Sequence, residues 1–369
     1  MSEKVKFKDI TINLDKQRKP LNGIDRHKIS IKKLYPYCGA NSIMDYVDEY
    51  LFDEEILCIA EDGGKWGKNE KCSYIMNEKC WVNNHAHVVK VKDTIDIRYL
   101  KYWLNYTDLN SSITGAIVRK LTQKELNELE ISIPVKKEQC IISDKLDKIQ
   151  SILDLKEKQI DKLNELIKSQ FVEMFENKNF EKKTLQDITI KITDGSHNPP
   201  NGIAENVGYM MLSSQNIIND KINYENARYL SKEDFEKENA RTDLKNGDVL
   251  LTIVGTVGRT AIISNEENIT LQRSVAVLKP IEEIKSEYLV GALKSDDVVR
   301  QLNKGTKGVA QKGIYLNDLK KLTISVPPIE LQNKFAEFVK QIDKQKFEVQ
   351  KSLEEIQKLQ EDLMNKYFG

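Results

Sequence analysis

Leu126-Asn-Glu-Leu-Glu-Ile-Ser-Ile-Pro134 is followed five residues on by Gln139, and Leu319-Lys-Lys-Leu-Thr-Ile-Ser-Val-Pro327 is followed five residues on by Gln332. The two stretches lie 193 residues apart (126 to 319), and Gly115 and Gly308 keep the same offset. A self-match at a fixed offset means one structural plan used twice.

The sequence after each motif has a helical seam. Ile142, Leu146, Ile149, Leu153, Ile160, Leu163, Ile167 and Met174 fall on steps that combine 4 and 3 residues. Their counterparts, 193 residues on, are Phe335, Val339, Ile342, Lys346, Leu353, Ile356, Gln360 and Tyr367, with Val349 and Leu363 extending the row. Steps of 3 and 4 average ~3.5 residues, the coiled-coil period. No Pro or Gly interrupts either segment. Each helix is predicted to run ~38 residues, ~57 Å at ~1.5 Å per residue. Lys156 and Gln170 break the first seam and Lys346 and Gln360 the second, while their repeat mates Val349, Leu363, Leu153 and Ile167 are apolar. Staggered polar positions of this kind fix register at some cost in stability. They predict that the two helices pair with each other rather than each with its own domain.

The expected fold class is therefore α+β. It comprises two similar domains of mixed sheet with helices, separated by two long helices that form an antiparallel coiled coil, a pseudo-twofold tandem repeat. The predicted segments are a globular domain over 1–135, a long helix over 136–176, a second domain over 177–328 and a second long helix over 329–369. In the first domain Glu55–Ala60 and His87–Val91 read as strands and Ile97–Tyr106 as a short amphipathic helix. In the second, Gly247–Val254 and Ser274–Leu278 read as strands and Tyr288–Leu302 as the matching helix. A twofold object suits a duplex, whose backbone has twofold axes of its own.

Composition narrows the function. The 369 residues carry 57 basic and 57 acidic side chains, which argues against a protein that coats nucleic acid without selectivity. A selective reader can still concentrate positive charge on one face. No run of ~18 apolar residues is present to span a membrane, and Met1-Ser2-Glu3-Lys4-Val5-Lys6 has no secretory apolar region. Five irregularly spaced cysteines, Cys38, Cys58, Cys72, Cys80 and Cys140, fit reduced thiols in a cytoplasmic protein better than a disulfide framework.

Between the matched elements the two copies diverge. Glu61-Asp-Gly-Gly-Lys-Trp-Gly67 stands where the other copy has Gly255-Thr-Val-Gly-Arg259, and Asn83-Asn-His-Ala-His87 where it has Leu271-Gln-Arg-Ser274. A repeated scaffold with variable polar loops is what two readers of different sequences need. Arg and Lys suit guanine, and Asn and Gln suit adenine. The candidate DNA contacts are Asn41, Lys65, Trp66, Lys68, Asn84 and His85 in the first copy. In the second they are Ser196, His197, Gln215, Asn216, Arg259, Gln272 and Arg273.

Catalytic motifs are weak. Asn198-Pro-Pro-Asn201 resembles the Asn-Pro-Pro-aromatic motif of amino-methyltransferases but lacks the ring that stacks on a flipped base. The glycine-rich loops lack the Gly-Lys-[Ser/Thr] ending of a phosphate loop and read as tight turns. His85 and His87, with Cys72 and Cys80 upstream, lack the usual spacing of a zinc site. They read as core or base-facing histidines. His197 has no Ser-His-Asp context. No catalytic residue and no metal ligand is assigned.

The chain resembles the specificity subunits of type I restriction–modification systems. The paired Ile-Ser-Ile-Pro134 and Ile-Ser-Val-Pro-Pro328 segments leading into Gln139 and Gln332 carry the likeness. So do Tyr37-Cys-Gly-Ala-Asn41, Tyr50-Leu-Phe52 and Glu61-Asp-Gly63, with Asp194-Gly-Ser-His197, Gly247-Asp-Val-Leu250 and Gly255-Thr-Val-Gly-Arg259 in the second copy. The resemblance implies two target-recognition domains reading the parts of a bipartite, asymmetric double-stranded DNA site, with the helices as spacers. It also implies a non-catalytic subunit of a phage-defence complex. The expected partners are two modification subunits, which bind S-adenosylmethionine and methylate adenine, and restriction/translocase subunits that use ATP and Mg2+. No cofactor is expected on this chain. The competing expectation is a coiled-coil adaptor that joins proteins and ignores DNA.

Overall fold

The computed structural model describes residues 3–176, 178–264, 268–306 and 313–369. Gly308, one of the two glycines at the repeat offset, lies outside the described residues. Among the described residues no helix is long and apolar enough to cross a membrane.

The repeated motif forms the same construction twice. Ile131 and Ile324 sit on short strands, Glu130–Ile133 and Thr323–Val326. Each strand pairs antiparallel with the first strand of its own copy, Glu3–Lys6 and Glu181–Thr184 respectively. The proline that follows cannot extend the strand ladder, because it has no N–H to give. A long helix begins next. The two helices are Lys136–Phe175 and Ile329–Phe368, 40 residues each.

Gln139 and Gln332 clamp these helices to their domains. The Gln139 amide accepts from Asp96 N–H at 2.9 Å and donates to the Thr94 and Pro134 carbonyls at 3.2 and 2.8 Å. The Gln332 amide accepts from Lys285 N–H at 2.9 Å and donates to the Glu283 and Pro327 carbonyls at 3.0 and 2.9 Å. Both side chains are buried. Tyr99 and Tyr288 reinforce the joint, their hydroxyls donating to the Ser132 and Ser325 carbonyls.

The molecule divides into two compact units, Met1–Glu157 with Lys351–Gly369, and Lys158–Gln350. Each unit thus takes part of both long helices, a grouping that a linear list of four segments does not capture. Antiparallel pairing inside each unit is the reason. In the first unit Ile142 and Leu146 share a core with Met364, and Ile149 and Leu153 share one with Leu353, with Ile356 and Leu363 packed beside it. The numbers rise on one helix as they fall on the other. In the second unit Phe171 lies against Phe335 with ring centroids 5.5 Å apart, and Ile160 lines one cleft with Lys346 and Gln350. Ile342 and Val349 are buried, and Leu163 and Val339 half-buried. Gln360 donates to Gln150 across the first unit's seam at 3.1 Å, and the buried Lys346 pairs with Asp343 at 3.2 Å.

Phe175 and Phe368, the last residues of the long helices, occupy equivalent places. Phe175 packs on Tyr288 at 4.8 Å in the second unit, and Phe368 on Tyr99 at 5.2 Å in the first.

Both units share one sheet plan. In the first, a four-stranded antiparallel sheet has the order Thr11–Asn13, Ala86–Val91, Ile56–Ala60, Ser73–Met76. In the second the order is Thr189–Asp194, Val275–Pro280, Val249–Thr252, Thr260–Ile262. A smaller mixed sheet accompanies each. Tyr35–Cys38 runs antiparallel to Ile43–Val47 and parallel to Trp81–Val82, as Met210–Leu212 does to Arg228–Tyr229 and Ile269–Leu271. The central strands are covered on both faces, which explains their unbroken apolar runs. Leu57 and Ile59 face one core and Ile56 and Cys58 another. Val249 and Leu251 likewise oppose Leu250.

One predicted element is wrong in form. The single helix expected over Tyr288–Leu302 is two, Ser286–Leu293 and Asp296–Gly305. Ser295 causes the break. Its hydroxyl oxygen accepts from Val298 N–H as an N-cap, and Asp296 and Asp297 follow in the first turn, where carboxylates oppose the positive helix end.

Replacing Gln332 by Leu leaves the Lys285 N–H and two carbonyls enclosed without partners. The expected loss is ~1–3 kcal/mol, read as a lower urea midpoint by far-UV circular dichroism. Gln139→Leu should cost a similar amount, and an unchanged midpoint in both would refute the clamp.

Candidate nucleic-acid interface

Antiparallel neighbours bring the end of one strand beside the start of the next. In the first unit this gathers the segment after Asn13, the loop after Ala60 and the turn before Ala86 at one end of the sheet. Hydrogen bonds tie these segments together. Asn41 donates to the Gly63 carbonyl at 2.9 Å, His85 Nδ1 lies 2.6 Å from Asp62, and Arg18 bonds Glu61 at 2.8 Å and the Ala86 carbonyl at 2.7 Å. Asn41, Lys65, Asn84 and His85 are all exposed at residue level on this cluster.

One predicted contact of this unit is corrected, and a second, though exposed, is bonded elsewhere. Trp66 is 3% exposed, sits in the main core and donates its indole N–H to the Ala60 carbonyl. A large ring beside an apolar sheet gains more from burial than from groove contact. Lys68 turns to the second long helix, bonding Asn365 at 3.0 Å with its ammonium 5.0 Å from the Tyr106 ring.

The two neighbouring histidines differ. His87 is buried, with Nδ1 2.6 Å from Asp15 and Nε2 2.7 Å from the Leu121 carbonyl. Burial works to raise the Asp15 carboxyl, but hydrogen bonds from His87 and from Val88 N–H outweigh it and hold Asp15 below its ordinary value. His87 therefore belongs to the scaffold, and His85, with 49% of its side chain exposed, to the surface. Burial also pushes the Cys72 thiol up to about 12, and all five cysteines are free.

The second unit gathers equivalent segments. Gln272 and Arg273 form the turn that corresponds to Asn84 and His85, and Val254–Arg259 corresponds to the loop after Ala60. Ser196 N–H donates to Leu271 at 2.8 Å and its carbonyl accepts from Arg273 N–H at 2.9 Å. Gly195 permits this approach, since a Cβ there would lie 2.1 Å from the Leu271 oxygen. Gly255 and Gly258 both have positive φ, +82° and +100°, in a turn closed on Thr252. The buried Asp194 carboxylate holds His197 Nε2 at 2.8 Å and Arg241 at 2.5 Å. These three groups and Arg273 line a cleft of about 410 Å³ with Ile253 and Tyr315.

Ser196 and Asn216 are also corrected as direct readers. Ser196 is 5% exposed and serves through its backbone. Asn216 is 4% exposed, and its amide is spent on Ser213 N–H and the Asn223 and Glu225 carbonyls. Gln215, Arg259 and Arg273 are exposed and Gln272 half-buried. Arg18, Asp62 and Arg241 were not among the predicted residues. Arg241 comes from the Lys232–Thr242 helix, 44 residues beyond the His197 it touches, so no local pattern signals it. The Asn198–Asn201 segment has no helix or strand, and Arg228 donates to its Pro200 carbonyl.

The family described as "Type I restriction modification DNA specificity domain" matches the sequence twice, over residues 2–165 and 175–360. A protein of Haemophilus influenzae named as a type I restriction enzyme specificity subunit is 26% identical over 325 residues, 86% of this chain and 81% of its own length. The type I restriction enzyme MjaVIII specificity subunit of Methanocaldococcus jannaschii is 25% identical over 384 residues, 95% of this chain and 88% of its own. The crystal structure of a type I restriction-modification S subunit from M. genitalium has a similar fold. Its TM-score is 0.61 at 14% identity, over 100% of this chain and 96% of that one.

Gly195→Ala should destabilise the second unit by ~1–3 kcal/mol, the usual cost of forcing extra volume into a packed site. Gly23→Ala, with open space around its Cβ, should be neutral. Equal urea midpoints for the two variants would show that the close approach at Gly195 does not matter.

Proposed function

The chain belongs to the type I restriction–modification DNA specificity family, and from that premise we propose that each of its two units reads one half of a bipartite, asymmetric DNA site. The family match makes this a DNA-recognition subunit and lends the adaptor reading no support. One observation carries the finer assignment. The same sheet end is built twice by the same hydrogen-bonded plan, yet presents Asn41, Lys65, Asn84 and His85 in one unit and His197, Gln215, Arg259, Gln272 and Arg273 in the other. A common frame holds different donors and acceptors, as two different half-sites require.

In this reading the chain performs no chemistry. Methylation of adenine with S-adenosylmethionine falls to two modification subunits, and ATP- and Mg2+-dependent translocation and cleavage to restriction subunits. The long helices dock the modification subunits and set the gap between the half-sites. The complex works in the cytoplasm, where DNA is accessible.

Arg273→Ala should relax or abolish recognition of only the half-site read by the second unit. A good bidentate base contact carries ~1–3 kcal/mol of discrimination, so the expected loss is about ten-fold or more at that half. Methylome sequencing of a host carrying the variant and its partners reads the result, and equal loss at both halves would contradict the two-reader assignment.

Adding one heptad to both long helices at paired positions should lengthen the unread gap and leave both half-sites unchanged. Seven residues add ~10.5 Å of helix, or ~3 base pairs at ~3.4 Å each. An unaltered gap in the methylome would end the ruler role.

A further inference from the structure

The first unit carries a hairpin beside its reader cluster that the candidate residues do not include. Thr114 and Lys120 exchange both backbone hydrogen bonds at 2.8 Å, closing the loop Gly115-Ala-Ile-Val-Arg119. Gly115 has φ +92°, and a Cβ there would lie 2.1 Å from the Val118 oxygen, so the turn is tight and specific to glycine. Lys120 also bridges to Asp62, and Leu121 N–H donates to the Glu61 carbonyl at 2.9 Å. The Asp62 carboxylate lies 3.3 Å from Lys120 Nζ and 2.6 Å from His85 Nδ1. The hairpin, the loop after Ala60 and the His85 turn are thus one bonded assembly.

Its tip has the wrong chemistry for solvent. Turn tips ordinarily carry Gly, Asn, Asp or Ser. Here Ile117 is 97% exposed and Val118 56%. Arg119 bonds the neutral amide of Asn110 at 2.6 Å, and among the described residues no carboxylate pairs with it. The second copy keeps the glycine and a cation of this segment in sequence, with Ala310 and Gln311 at the places of Ile117 and Val118. Gly308-Val-Ala-Gln-Lys312 lies 193 residues on, with Lys312 at the place of Arg119. Those five residues lie outside the described ones; next to them, Val254 bridges Gly313 as Asp62 bridges Lys120.

We propose that the Thr114–Lys120 hairpin is a base-contacting element of the first unit, with Ile117 set against a thymine methyl group in the major groove and Arg119 on a neighbouring phosphate. The thymine methyl is the apolar feature that a base pair offers in that groove, and a cation two residues away suits the backbone. The uncompensated charge of Arg119 and the bonded continuity with His85 and Asp62 favour DNA over a protein as the occupant. The assignment rests on the DNA-reading function given above.

The test uses the complex with its methyltransferase partners. Each thymine of the half-site read by the first unit is replaced in turn by uracil, which removes only the methyl. One such position should weaken wild-type binding about three- to five-fold, the worth of one buried methyl. Ile117→Ala should bind the thymine duplex that weakly and lose nothing further on uracil. Its unchanged preference at the other half-site serves as the folding control. Arg119→Ala should weaken binding to all sequences alike and reduce the salt slope by about 0.9. The proposal fails if no uracil position matters, or if Ile117→Ala loses equally on both duplexes. It fails also if Ile117→Asn releases the methyltransferase subunits while DNA binding by the remaining chain is unchanged. A wild-type complex with no sequence preference at either half-site would instead overturn the DNA-reading function itself.

Discussion

One buried amide in each unit holds a long helix to its domain at the point where the helix leaves it. A glutamine side chain offers one carbonyl and two N–H donors. Gln139 and Gln332 commit theirs to three backbone segments: the carbonyl before the long helix, a loop carbonyl, and an N–H at the start of a domain helix. These backbone groups are enclosed and cannot turn to water instead. The direction of each helix from its own domain is thereby fixed by hydrogen-bond geometry, not by apolar contact alone.

Apolar packing then fixes register. The seam is imperfect on purpose-built terms: Lys346 is buried against its own helix neighbour Asp343, and Gln360 finds Gln150. The Gln360–Gln150 bond joins the two helices and is made only in register, whereas the Lys346–Asp343 pair lies within one helix and satisfies a polar seam position wherever that helix sits. The aromatic ends act in the same sense. Phe175 enters a cluster with Phe171, Tyr288 and Phe335, and Phe368 one with Tyr99 and Tyr106. Edge-to-face ring contacts are directional, so each helix terminus is seated at a defined position in its unit.

The scaffold was more legible in the sequence than the site. Duplication, helix length and the apolar seam are periodic, and periodicity survives in one dimension. Burial of an individual polar or aromatic residue does not. Trp66 and Lys68 sit in a glycine-rich polar loop, yet the fold sends one into the core and the other to a helix some 300 residues away in sequence, at Asn365. Asn216 has the donors and acceptors of a base reader, but an N-capping turn and two carbonyls claim them all. The Ser295 break was readable in principle, since Ser followed by two aspartates is a helix-start signal. The continuous apolar pattern of the flanking helices outweighed it. Arg241 left no signal, because its partners Asp194 and His197 meet it only through the tertiary fold.

Charge at the proposed reader surfaces bears on how a neutral chain can meet DNA. Carboxylates stand among the candidate contacts where a simple phosphate-binding surface would exclude them. Glu61 and Asp62 engage Arg18 and Lys120, and Asp194 engages Arg241. These cations are positioned and partly neutralised, so they add little to unselective attraction for the backbone. Lys65, Arg259 and Arg273 are exposed and have no ion pair among the described residues. With Arg119, these are the uncompensated cations that the proposed DNA-reading surfaces offer. Such a surface gains modestly from counterion release, which is the same for every sequence. It depends instead on hydrogen bonds that only the correct bases return. Limiting the uncompensated charge at the proposed surfaces favours discrimination over general affinity, and is compatible with a chain of zero net charge.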